Sequence, residues 1–260
     1  MKPSPLPVSV SDVPQRNFFP QTFHFSYFTG MNIPDSSPPY QLVVFDFDGT
    51  LADSLSWLAG ILPETAARFR FNHAGPEKFD YLRSLDTREL LQYLKIPVWK
   101  IPIVALHLRK RMSCETDKIP LYPGIREMLE DLASGRLTLA LLSSNSWNNV
   151  ARILGPRLSS CFDFHHCEVP YLGKTRQFGN LLKKSGHDAR DILYIGDETR
   201  DLEAARAHCV HFGAVTWGFN RPNAFLKHKP EYLFEEAPDI TRLLSDHTGR
   251  APLDMPIHRN

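Results

Sequence analysis

The stretch VVFDFDGTLADS, Val43–Ser54, joins an apolar run to two aspartates that stand one residue apart. The run is typical of a buried strand because valine and phenylalanine favour that conformation. Asp46 and Asp48 end the strand, and Gly49 and Thr50 follow at once. Two like charges in a half-buried loop repel each other unless something offsets the repulsion. The stretch therefore predicts a site for a divalent cation at the end of a buried strand.

The composition of the 260-residue chain narrows the class of protein. Lys and Arg total 30 and Asp and Glu total 29, so the charges nearly balance, which argues against a nucleic-acid or membrane-surface partner. No apolar run approaches the roughly 18 residues of a membrane helix. The 4 cysteines form no CxxC pair, which predicts reduced thiols and a cytoplasmic location. A monomer and a homodimer stay equally open.

Short apolar segments alternate with helical patterns over most of the chain. Strands are predicted at LTLALL (137–142), ILYI (192–195) and VHFGAVTW (210–217), besides the opening stretch. Strands that are apolar on both faces are typical of a parallel sheet covered by helices on each side. The sequence therefore predicts an α/β fold with a Rossmann-like parallel sheet.

Polar side chains directly follow three of these predicted strands. They are Asp46, Ser143 and Asp197. Ligands of such sheets bind at the carboxyl ends of the strands, and these ends lie along one edge. We therefore expect the three side chains to converge on one site.

Four regions are expected along the chain. Residues 1–40 are rich in Pro, Ser and Phe and show neither helical nor strand periodicity, which predicts an irregular or disordered arm. Met31 is an alternative start. Residues 55–118 space apolar side chains three and four positions apart, which predicts a small all-helical insertion after the first strand. The other regions are the two parts of the α/β core and a C-terminal tail, at 41–54, 119–245 and 246–260.

Carboxylates, a serine and Lys174 gathered at one edge suit phosphate chemistry. Carboxylate oxygens bind a hard cation such as Mg²⁺, and Mg²⁺ with a lysine neutralises a phosphate group. Asp46 is ionised at neutral pH and can attack phosphorus without a base. Asp48, two residues on, can protonate the leaving oxygen and later activate water.

Four segments of the chain, taken in order, resemble the motifs of the haloacid dehalogenase superfamily. They are DFDGTLADS (46–54), LLSSNS (141–146), Lys174 and GDETRDLEAA (196–205). The phosphoglycolate-phosphatase-like branch is most similar, over about 41–244, and AVTWGFN (214–220) also resembles that branch.

This resemblance implies a role for each matching residue. Asp46 is the nucleophile that forms an aspartyl-phosphate, and Asp48 is the general acid and base. Ser143 holds a phosphate oxygen, and Lys174 balances the charge of nucleophile and phosphate. The implied Mg²⁺ site consists of Asp46, Asp48 through its carbonyl, Asp197 and, in support, Asp201. The implied contacts to phosphate or substrate are Gly49, Thr50, Ser144 and Asn145.

The expected function is a magnesium-dependent phosphatase acting on a small phosphorylated metabolite, with the helical cap closing over the site. A phosphomutase shares every core residue and stays an alternative. A non-catalytic binding protein that keeps the fold is a third possibility, although such a protein is expected to lose the nucleophile or a metal ligand. Arg83 in the helical segment has two interpretations, a substrate contact or a solvated helix charge.

Overall fold

The computed structural model describes residues 40–226 and 228–245. The predicted arm, apart from its last residue, and the predicted tail lie outside these ranges, as does Met31. Tyr40 is buried, and its hydroxyl is 2.9 Å from both His211 Nδ1 and the Tyr232 hydroxyl. Tyr40 therefore belongs to the α/β core, and the core boundary predicted at residue 41 is too late.

Six parallel strands form a single sheet with the order β3-β2-β1-β4-β5-β6. The strands are β1 Leu42–Phe45, β2 Thr138–Leu142, β3 Phe164–His166, β4 Ile192–Gly196, β5 His211–Val215 and β6 Tyr232–Phe234. Strand β1 lies between β2 and β4, and its four residues are fully buried. This topology confirms the predicted Rossmann-like fold class.

Ten α-helices accompany the sheet in the described ranges. They are α1 Leu55–Phe69, α2 Phe79–Arg83, α3 Thr87–Leu94, α4 Ile101–Ser113, α5 Ile125–Ala133, α6 Trp147–Ser159, α7 Lys174–Ser185, α8 Thr199–Arg206, α9 Pro222–Leu226 and α10 Ala237–Ser245. None of these helices is long and apolar enough to cross a membrane.

The side chains of β1 alternate between two hydrophobic clusters, one on each face of the sheet. Val43 and Phe45 pack with residues of α5, α6 and α10. Leu42 and Val44 pack with residues of α7, α8 and α9. Because successive strand residues point to opposite faces, an apolar residue at every position of β1 is what a sheet with two covered faces requires. This packing fixes the end of β1, and with it Asp46, at the centre of the sheet.

Between β1 and β2 the structure contains only helices over residues 55–118, which we call the helical insert. Its α3 begins with a capping box. The Asp86 carboxylate accepts from the Arg88 and Glu89 N–H groups at 3.0 Å, and Glu89 accepts in return from the Asp86 N–H. These bonds satisfy N–H groups that a helix start otherwise leaves unpaired.

Arg83 joins the helical insert to the loop after β5. Its guanidinium donates to the carbonyls of Phe219 at 3.2 Å, Trp217 at 3.4 Å and Gly218. The Arg83 side chain is only 12% exposed. The interpretation of Arg83 as a solvated helix charge is therefore wrong, since the charge is used to bind core carbonyls.

Candidate active site

The carboxyl ends of three strands bring buried polar side chains together, as predicted. Asp46 follows β1, Ser143 follows β2 and Asp197 follows β4. All three are at most 1% exposed. Buried groups of this kind need partners, since a polar atom removed from water without one is costly.

Lys174 lies between two aspartates in the centre of the site. Its ammonium is 2.7 Å from Asp46 Oδ2 and 2.5 Å from Asp201 Oδ1. Burial lowers the pKa of Lys174, but the surrounding carboxylates, Asp201 and Asp46 foremost, leave that pKa raised overall, so the amine stays charged. The residue is the first of α7, where the helix dipole disfavours a cation. The two carboxylates therefore hold this charge in place.

Asn145 connects the loop after β2 to Asp48. Its side-chain amide donates to Asp48 Oδ2 at 3.1 Å, and its N–H donates to Ser143 Oγ at 3.0 Å. Burial raises the pKa of the Asp48 carboxyl to about 6, although the hydrogen bond from the Asn145 side-chain amide lowers that pKa. A carboxyl with such a pKa is suited to giving and taking a proton near neutrality.

Both oxygens of Asp197 have donors from neighbouring loops. The Thr50 hydroxyl donates to Oδ1 at 2.8 Å, and the Phe219 N–H donates to Oδ2 at 2.7 Å. Gly49 lies directly against this carboxylate with φ of +83°, and a Cβ there would be 2.1 Å from Asp197 Oδ2. Gly49 and Thr50 thus shape the surroundings of Asp197, and their contact with phosphate stays a prediction.

Gly49→Ala should destabilise the protein, whereas Gly60→Ala should stabilise it. The left-handed backbone at Gly49 alone costs alanine about 1–2 kcal/mol, and the overlap with Asp197 adds to that cost. Gly60 lies inside α1, and a Cβ there would meet nothing within 4 Å. Alanine in a helix interior is favoured over glycine by about 1 kcal/mol. Urea denaturation measures the change in the free energy of unfolding for both variants. A Gly49→Ala protein as stable as the unmodified protein would contradict the argument.

Within the part of the chain that the structure describes, one group of carboxylates has the spacing of a metal site. Ligand atoms of Asp46, Glu198 and Asp201 all lie within 4.8 Å of one another. Mg²⁺ prefers carboxylate oxygens as ligands, so the donor set of this group fits Mg²⁺. Lys174 pairs with Asp46 and Asp201, and Arg200 pairs with Glu198, so both cations share this group of carboxylates.

This group differs in part from the predicted metal ligands. Asp46 and Asp201 belong to it, but Asp48 and Asp197 do not. The assignments of Asp48 and Asp197 as ligands stay predictions. Glu198 was missed, although a carboxylate directly after Asp197 at a strand end is the same signal that singled out Asp197.

Arg200 was missed as well. Its guanidinium pairs with Glu198 (Nε to Oε2, 2.7 Å) and lies 4.3 Å from the centre of the Tyr171 ring. The side chain is 10% exposed. Arg200 stands in the first turn of α8, an unfavourable end for a cation. A cation in the first turn of a helix is the signal that identified Lys174, and it could have identified Arg200 as well.

Ser144 lies where the helical insert meets the core. Its carbonyl accepts from Arg109 Nη1 of α4 at 2.9 Å. Asp48, Ser144 and Asn145 also line a cavity of about 260 Å³ that is walled on its other sides mainly by the helical insert. The sequence gives no signal for Arg109, which is one of several basic residues in α4.

Comparisons with known proteins show what this chain is similar to. Residues 43–215 match the family of haloacid dehalogenase-like hydrolases. The chain is 31% identical over 206 residues to the phosphoglycolate phosphatase of Synechococcus elongatus, covering 79% of this chain and 97% of that protein. It is 23% identical to the pyrophosphatase PpaX of Oceanobacillus iheyensis, covering 78% and 96%. A haloacid dehalogenase-like protein of Streptococcus pneumoniae has the same fold, with a TM-score of 0.64, 18% identity, and coverage of 78% and 98%.

Proposed function

This chain belongs to the haloacid dehalogenase-like hydrolases, and from that premise we propose that it is a magnesium-dependent phosphatase. It hydrolyses a small phosphomonoester through an aspartyl-phosphate on Asp46. The observation that carries the proposal is the buried Asp46, placed at the end of the central strand with the Lys174 ammonium 2.7 Å away. A buried carboxylate beside a lysine can approach an anionic phosphate that it would otherwise repel.

In the first half-reaction a carboxylate oxygen of Asp46 attacks phosphorus. The bond from phosphorus to the leaving oxygen breaks, and Asp48 gives its proton to that oxygen. Lys174 and the Ser143 hydroxyl hold the phosphate oxygens while charge moves onto the leaving group. The pKa of about 6 at Asp48 supports its part in this step.

In the second half-reaction Asp48 takes a proton from water. The water oxygen attacks the phosphorus of the aspartyl-phosphate, the bond to Asp46 breaks, and inorganic phosphate leaves. Asn145, which donates to Asp48, orients that carboxylate in both halves. One residue therefore acts as acid and then as base.

Residues of the acidic group would hold the metal ion, with Asp46, Glu198 and Asp201 as the described candidates and with Asp48 and Asp197 as the ligands that the family resemblance adds. When bound, Mg²⁺ neutralises phosphate charge and aligns the phosphate with the nucleophile.

We propose that the helical insert is a cap. It covers the site through the Arg83 bonds to the loop at 217–219 and the Arg109 bond to Ser144. Closure of such a cap excludes bulk water and selects the substrate. The partner is a small phosphorylated metabolite.

Release of inorganic phosphate by the pure protein tests the proposed function. The panel includes p-nitrophenyl phosphate, phosphoglycolate and pyrophosphate, because the relatives are named for the last two. Phosphate should be released in the presence of Mg²⁺ and not after treatment with EDTA. Transfer of phosphate to an organic product without its release would show a phosphomutase instead.

Variants of the acidic residues should raise the Mg²⁺ concentration needed for half-maximal activity. Asp197→Asn and Glu198→Gln should each raise it about 10–100-fold, the usual effect of altering a group in or beside a metal site. Glu203→Gln is the matched control, since Glu203 is an exposed residue of the same helix, α8. A Mg²⁺ titration checks all three. Unchanged values for both test variants would exclude these two residues from the metal site.

A further inference from the structure

We propose that the leaving group of the substrate is hydrophobic, so that the preferred substrate is the phosphate ester of an apolar alcohol or phenol. This inference rests on the proposed phosphatase function. It concerns the part of the substrate that is not the phosphate, which the cavity of about 260 Å³ between the helical insert and the core must accommodate.

Three helices of the insert direct apolar stripes at this cavity. The aliphatic side chains and Met112 that repeat along these helices in the lining are Leu55, Leu58 and Leu62 of α1, Leu90 and Leu94 of α3, and Ala105, Leu108 and Met112 of α4. Trp57, Ala59, Thr87 and Arg109 of the same helices also line the cavity. The spacings of three, four and seven place each set on one helix face. Such stripes usually pack against one another, whereas here they also enclose open volume. The helical insert therefore forms an apolar wall around the part of the cavity that would hold the leaving group.

The charged groups of the cavity stand at its core end. Arg83 binds carbonyls of the loop at 217–219, Arg109 binds the Ser144 carbonyl, and Arg200 pairs with Glu198. The other charged lining residue is Asp48. These groups all bind or belong to the core, so among the described lining residues the insert end of the cavity carries no charged partner for a second anionic group.

Two buried N–H groups support the separation of the cavity into a charged core end and an apolar end. Arg109 Nε and Arg200 Nη1 have no hydrogen-bond partner among the described residues. Both belong to guanidinium groups at the core end, so phosphate oxygens are suitable acceptors. A carboxylate on the far side of the substrate would lose its hydration at the leucines without gaining a partner.

A matched series of phosphate esters tests the inference. From methyl through propyl to pentyl phosphate, kcat/KM should rise about fourfold per methylene, hence about 250-fold over the four added methylenes. Isobutyl phosphate carries an isopropyl group in place of the carboxylate of phosphoglycolate, so that two methyl groups replace the two carboxylate oxygens. It should exceed phosphoglycolate in kcat/KM by at least about tenfold. A flat series, or a preference for phosphoglycolate, would overturn the inference. If no ester at all releases phosphate, the proposed function itself fails.

Paired variants of α4 locate the effect. Leu108→Gln should lower the ratio of kcat/KM for pentyl over methyl phosphate about tenfold. Leu106→Gln, on the outer face of the same helix and 46% exposed, should leave that ratio unchanged. Leu62→Gln on α1 gives a second test if Leu108→Gln does not fold, as judged by thermal melting. An unchanged ratio in a folded Leu108→Gln or Leu62→Gln protein would contradict the inference.

Discussion

Asp46→Asn is expected to abolish turnover, with a loss of at least about 10⁴-fold in kcat, as is usual when a nucleophile is removed. The amide cannot attack phosphorus, so no aspartyl-phosphate forms. Rapid mixing with p-nitrophenyl phosphate should then show no burst of nitrophenol. The side chain keeps its size, and we therefore expect the variant to stay folded, which thermal melting can verify.

Asp188→Asn is the matched control for this experiment. Asp188 is 73% exposed and pairs with Arg190 on the surface. The same chemical change at that position should leave turnover unchanged. A burst in the Asp46→Asn protein would remove Asp46 from the role of nucleophile.

Asp48→Asn is expected to separate the two half-reactions by the leaving group of the substrate. A nitrophenolate departs without a proton, so p-nitrophenyl phosphate should still phosphorylate Asp46 at nearly the normal rate. An alkoxide needs the proton, so the same step should slow about 10²–10⁴-fold for an alkyl phosphate, as for other lost general acids. Hydrolysis of the aspartyl-phosphate should slow for both.

Rapid mixing distinguishes these steps. The Asp48→Asn protein should give a nitrophenol burst near one per site, followed by slow turnover. Single-turnover cleavage of an alkyl phosphate should be strongly impaired in the same preparation. Equal slowing of both substrates in single turnover would show that Asp48 does not act as the general acid.

The position of the site could be predicted because it depends on short-range signals. Asp46, Ser143 and Asp197 each follow an apolar run, and parallel strands place such residues on one edge. Lys174 could be predicted because the helix dipole disfavours a cation at a helix start, so a lysine there indicates a functional role. The helical insert was visible because its apolar residues recur with helical spacing.

The features that were missed depend on tertiary contacts. Strand β6 has only three residues, and an apolar run of that length cannot be distinguished from a loop by its sequence pattern. Tyr40 is fixed by hydrogen bonds to residues 171 and 192 positions away. Arg83 binds carbonyls more than 130 positions away. Spacing within one segment carries no information about such partners.

The central ion pair has a consequence for how the chain folds. Asp46 and Lys174 are 128 positions apart, and closing a loop of that length opposes folding by about 4 kcal/mol, apart from a constant term. Strand β1 must pair with β2 and β4, both distant in sequence, before the two residues can meet. Topologies dominated by such distant pairings fold slowly. During refolding, helical signal should therefore return before phosphatase activity, because the local helices form first and the catalytic ion pair only with the completed sheet.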